Sequence, residues 1–144
     1  MWRRNTAALL GVAVFAAAMT GCSAPTLSLI GPDVEIGGTT VSTCSKGFFS
    51  SGCADGAPRE PSLVRLSNAD GVDLHVHTNL AAKDAKVQIQ QGAWNERSTV
   101  QTLDLRSLEA PIHLAPSDQP YFIFVSVNAD VGSMTAVFGV VVAR

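Results

Sequence analysis

Hydrophobic and polar residues alternate with a period of two along most of this chain, and that alternation predicts strands. Val72–Thr78 (VDLHVHT) is the cleanest case: Val72, Leu74 and Val76 share one face, Asp73, His75 and His77 the other. Lys86–Gln90 repeats the pattern with Val87 and Ile89 inward. Ser62–Ser67, Thr99–Leu105 and Ile112–Ala115 are further strands, and the turn Asn68-Ala69-Asp70-Gly71 precedes Val72. Tyr121–Val127 (YFIFVSV) and Met134–Ala143 (MTAVFGVVVA) are apolar on both faces, which predicts central strands covered on both sides. Val34–Ile36 and Thr39–Thr43 are β-prone and interrupted by Gly37-Gly38, a bulge or a bend. Cys44–Pro61, dense in Gly, Ser and Pro, reads as a loop, and its Phe48-Phe49 pair is either a plug over the core or an exposed contact. Asn79–Ala85 has room for one helical turn at most. Seven or eight short strands with turn-rich links predict an all-β fold, a single β-sandwich over residues 33–144.

The first residues follow a different rule. Arg3 and Arg4 give a positive start, Ala7–Met19 is an uncharged apolar run, and small residues lead to Cys22. The run is shorter than the ~20 apolar residues of a spanning helix, so residues 1–21 read as a targeting signal. Met19-Thr20-Gly21-Cys22 resembles the lipobox of bacterial lipoproteins, with Met19 where the family usually has Leu. The resemblance implies cleavage before Cys22, a diacylglycerol on its thiol and an N-acyl chain on its amine. It also implies attachment to a cell or outer membrane facing the periplasm or cell exterior, and residues 22–32 (CSAPTLSLIGP) then read as a lipidated tether ending in a short edge strand. Ser23 follows Cys22 where Asp would favour retention at the inner membrane, which in a two-membrane bacterium favours the outer one.

Removing residues 1–21 leaves 123 of 144 residues, enough for one core, and the loss of Arg3 and Arg4 takes the net charge from −2 to −4. That balance gives no basic footprint for nucleic acid. With Cys22 assigned to lipid, Cys44 and Cys53 remain as a pair. A disulfide is expected, because eight intervening residues fit no tight zinc spacing and no His lies nearby.

Leu114–Tyr121 (LAPSDQPY) before the apolar run FIFVSV resembles the corner of immunoglobulin-like and fibronectin type III domains. There a Tyr opens the penultimate strand and its hydroxyl bonds to upstream backbone. The resemblance covers about the last 30 residues and implies an immunoglobulin-like sandwich.

Candidate chemistry is sparse. His75 and His77 share a strand face and, with His113, are the candidate ligands for Cu²⁺ or Zn²⁺; the alternative is a solvated polar face. No G-x-S-x-G elbow is present, and Asp70, Asp73 and Asp84 near turns are as readily solubilising as catalytic, so no enzyme is expected. Trp94, in Gly92-Ala93-Trp94-Asn95-Glu96-Arg97, either anchors a protein or glycan partner or folds down to cap one end of the sandwich. Together these readings predict a membrane-anchored, non-enzymatic envelope lipoprotein that binds or scaffolds another envelope protein or glycan through Trp94, Phe48 and Phe49. The only attached group expected is the lipid on Cys22. The alternative is a metal-binding lipoprotein, and a minor branch is an anchor of the type VI secretion apparatus, whose small sandwich lipoproteins are similar in size and layout.

Overall fold

The computed structural model describes residues 24–46 and 51–144; the leader, Cys22 and the Phe48-Phe49 pair lie outside them. The described residues form eleven strands: β1 (Leu27–Ile30), β2 (Glu35–Gly37), β3 (Thr39–Lys46), β4 (Ser51–Asp55), β5 (Leu63–Ser67), β6 (Val72–Thr78), β7 (Ala85–Gln91), β8 (Ser98–Leu105), β9 (Ile112–Leu114), β10 (Tyr121–Ala129) and β11 (Gly132–Ala143). One sheet runs β2-β1-β6-β9 and the other β4-β3-β11-β10-β7-β8. β5 continues the line of β3 along β11, parallel to Gly139–Ala143, whereas β3 is antiparallel to Gly132–Val137. The two sheets pack face to face as an all-β sandwich.

The core forms where the alternating faces meet. Leu29, Ile36, Leu74, Val76 and Ile112 from the smaller sheet pack with Val87, Ile89, Ile123, Val125, Phe138 and Val140 from the larger. Each such side chain contributes about 1.5–3 kcal/mol on full burial. The polar alternates Asp73, His75 and His77 are exposed. β10 and β11 are central, as their two-sided apolar character predicts: Phe122 and Val137 are buried although they point away from the facing sheet.

Eleven strands stand in place of the expected seven or eight, and two of them lie in segments expected as tether and loop. The Leu27–Ile30 segment, expected as the edge-strand end of a tether, is internal, lying between β2 and β6 with Leu27 and Leu29 in the core. Two inward leucines are too short a pattern to advertise a strand, and the neighbours supply the pairing. The expected 44–61 loop contains β4, which has weak strand propensity but pairs with β3 so that Cys44 and Cys53 stand directly opposite each other, joined in a disulfide.

Gly37-Gly38 is the bend where the chain leaves the smaller sheet and enters the larger. A Cβ on Gly38 would sit 2.7 Å from the Phe138 ring, so only glycine lets backbone cross that ring. The Asn68–Gly71 turn is closed by Asn68 Oδ1, which accepts from the Asp70 amide at 2.9 Å. At the turn into β10, the Tyr121 hydroxyl donates to the Ala115 carbonyl at 2.8 Å, tying the strand's start to the loop before it.

Three stability outcomes follow from this packing. Gly38→Ala is expected to cost about 1–3 kcal/mol by overpacking against Phe138. Tyr121→Phe is expected to cost about 0.5–1.5 kcal/mol, the net value of one hydrogen bond. Converting Cys44 and Cys53 together to Ser is expected to cost about 2–3 kcal/mol through the freed unfolded-state loop. Urea unfolding of each variant, read from the shift in midpoint at unchanged slope, measures all three.

Candidate functional site

The outer face of the larger sheet carries the most distinctive group of side chains. On β10, Tyr121, Ile123, Val125 and Val127 point into the sandwich, so Phe122, Phe124 and Ser126 point outward. Register places Phe122 beside Gly139 and Gln90, Phe124 beside Val137 and Gln88, and Ser126 beside Thr135 and Lys86. The space beside Gly139 is filled by Pro61 and Leu63.

The remaining cover comes from the turn after β7. Gly92 adopts φ +119°, a conformation that L side chains rarely take, and its amide donates to the Pro120 carbonyl at 3.2 Å. The chain then makes a single 3-10 turn over Trp94–Glu96, which sets Arg97 one turn beyond Trp94 and therefore on the same side. The Trp94 ring meets Phe122 edge-on, with centroids 4.9 Å apart, and lies nearly parallel to Phe124 at 6.4 Å and 12°. The Arg97 guanidinium sits 3.8 Å from the Trp94 centroid and 5.6 Å from that of Phe124. Its Nε donates to Gln90 Oε1 at 2.5 Å and its Nη1 donates to the Trp94 carbonyl.

Two consequences follow. Arg97 is held by four contacts, yet among the described residues no carboxylate lies within ion-pairing distance of it. A guanidinium has five N–H donors, and two are engaged, so a fixed cation with spare donors stands over an aromatic array. Around it the outward side chains are amides and hydroxyls. Gln88 Nε2 donates to Thr99 Oγ1 at 2.9 Å, and Ser126 and Thr135 hydroxyls bond at 2.7 Å. Trp94, Arg97 and Phe124 are half-buried, which leaves part of each open to a partner.

Trp94 folds down onto the outer face of the larger sheet, where its ring packs against Phe122 and Phe124. Arg97, Phe122 and Phe124 were not singled out from sequence. The signal that could have found them is the Trp-x-x-Arg spacing after a glycine, set beside an apolar strand with aromatic residues at two outward positions.

The histidines occupy the smaller sheet. His75 and His77 lie on β6 opposite Ile30 and Ser28 of β1, and all three histidines are exposed. His113 on β9 faces Asp73 across the register, with Nδ1 2.7 Å from Asp73 Oδ1. Among the described residues no group of three or more His, Cys, Asp or Glu side chains converges to hold a metal ion. A cavity of about 650 Å³ lies elsewhere, between Arg65, Ser117, Asp118 and Arg144, and no aromatic ring lines it.

Compared with known protein families, characterised proteins and solved structures, the chain shows no match to any of them.

Removing the lid should register in stability. Trp94→Ala uncovers Phe122 and is expected to cost about 1–2 kcal/mol, below the 3–5 of a fully buried Trp. Arg97→Ala is expected to cost about 0.5–1 kcal/mol, the value of a partly exposed cation–π contact. Guanidinium unfolding curves of the two variants give both numbers.

Proposed function

We propose that this chain is a bacterial envelope lipoprotein, anchored by lipid on Cys22, whose immunoglobulin-like sandwich is a non-enzymatic binding module. The anchor rests on the leader pattern ending in Thr20-Gly21-Cys22. The Cys44–Cys53 disulfide supports export, because such bonds persist in oxidising compartments and are rare in the cytosol. Among the described residues no helix is long and apolar enough to cross a membrane, so a lipid is the attachment this reading supplies. At least two acyl chains on one residue hold firmly, whereas one binds marginally.

The observation that carries the binding role is the array of Trp94, Phe124 and an unpaired, oriented Arg97 on an exposed sheet face. Tryptophan and arginine dominate the energetics of protein interfaces, and a guanidinium fixed in advance loses little entropy on binding. Flanking amides and hydroxyls suit an envelope protein or a glycan equally well in hydrogen-bonding terms.

Mass spectrometry of the product isolated from a bacterial host tests the anchor. A mature chain beginning at an acylated Cys22 is expected, and an unmodified Cys22 refutes it. Crosslinking in cells tests the face: a specific protein or glycan partner is expected, with capture reduced about tenfold or more in Arg97→Ala, as for a loss of 1.4 kcal/mol or more. Capture unaffected by that change would remove this face from consideration.

A further inference from the structure

The end of the sandwich at which the chain enters is bound unusually close to the proposed lipid. Only Ser23 separates Cys22 from Ala24, and the backbone is already tied down there: the Ala24 carbonyl accepts from Asn79 Nδ2 at 2.9 Å. The Thr26 amide donates to Asn79 Oδ1 at 2.7 Å, and its carbonyl accepts from the Thr78 hydroxyl at 2.7 Å. One free residue spans about 7 Å at most between its neighbours. Whatever surrounds Ala24 must therefore meet whatever holds Cys22.

The topology says what surrounds it. β1 begins beside the end of β6, at Leu27 opposite Thr78. β6 leads through residues 79–84 to the start of β7, where Ala85 is opposite Val127 near the end of β10. The β10–β11 hairpin turns there, and the Lys46 amide at the end of β3 donates to the Val131 carbonyl of that turn. The hairpin tip presents Val131 at 63% exposure, the highest of the large apolar side chains among the described residues. Lys46 and Lys83 line one depression beside it, with Asp84 and Asp130.

We propose that this end of the sandwich, led by Val131 at the β10–β11 tip, rests on the bilayer surface, so that the domain stands end-on to the membrane. The inference depends on lipidation of Cys22. Its physical content is separate: a leash too short to let the body rotate, joined to an exposed aliphatic tip at the same end. Interfacial seating buries apolar groups about 5–10 Å into the headgroup and acyl boundary, within reach of a hairpin tip. The two lysines and two aspartates balance, so apolar contact and the leash, rather than attraction to anionic lipid, hold the end down. Along β10, Phe124 lies about 20 Å from this tip, at roughly 3.3 Å per residue. Trp94 and Arg97 then face the aqueous space.

Brominated phosphatidylcholine vesicles carrying the full chain, processed and lipidated in a bacterial host, test this, because bromine quenches indole only on contact with the acyl region. After removal of the leader with its Trp2, Trp94 is the remaining tryptophan, and its emission is expected to be unchanged. A Val131→Trp, Trp94→Phe variant is expected to lose emission at least roughly twofold, as for an indole seated about 5–10 Å deep. Inserting a Gly-Ser linker of about 20 residues after Ser23, with a reach of about 25 Å, is expected to abolish that loss. Quenching of Trp94, an unquenched indole at position 131, or quenching that survives the linker would each overturn end-on docking. Mass spectrometry of the same vesicles separates the two ideas: absent acylation defeats the anchor, while intact acylation with no quenching at 131 defeats the docking alone.

Discussion

The pairing of β10 with β11 is the constraint on which the rest of this structure depends. Nine residue pairs run in unbroken antiparallel register from Tyr121 and Val140 to Ala129 and Gly132. Their backbone groups are satisfied internally, which is a requirement once both faces are dry. The inward faces receive the smaller sheet, and the outward faces hold Phe122 and Val137, each almost fully buried. β7 and β3 then align on the two sides of this pair, and their own partners follow outward to β8 and β4.

Covering the outer face is what produces the candidate site. Phe122 cannot be left in water without forfeiting its burial, and no second sheet lies on that side. A turn and a strand start close over it instead: Trp94 from one direction, Pro61 and Leu63 from the other. A lid of this kind is only as thick as one side chain, so the lid residue remains half-exposed. Arg97 stacks on it, fixed by Gln90 and the Trp94 carbonyl. The residues that stabilise the sheet are thus the same ones the proposed binding role would use, so stability and recognition would be coupled at Trp94.

The two ends of the sandwich differ. One end gathers the entry of the chain and the β10–β11 tip, and strand length alone sets the aromatic array well away from it. The edges are managed by ordinary means. β2 and β9 are three residues long, β4 is tied by the disulfide, and β8 is interrupted where the register slips between Ile89 and Gln90, leaving Val100 as an exposed bulge residue. Short and bulged edges resist pairing with other chains.

Which residues alternate inward and outward on β6 and β7, that β10 and β11 are covered on both sides, and where Gly37-Gly38 and Asn68–Gly71 break the strands could all be read from the amino-acid sequence. Those features are local, because side-chain direction in a strand has a period of two and glycine freedom belongs to single residues. The sequence also proposed the Cys44–Cys53 bond, since only two cysteines remained to pair. That Leu27–Ile30 is an internal strand, that β4 exists, and that Trp94 lies on an outer face beneath Arg97 emerged once the strands were assembled. For two of these the deciding partner is remote in sequence, β6 for β1 and Phe122 and Phe124 for Trp94, whereas β4 pairs with the neighbouring β3 and is tied to it by the disulfide. A pattern along the chain records which face a residue prefers, whereas which surface meets that face depends on how distant strands are brought together.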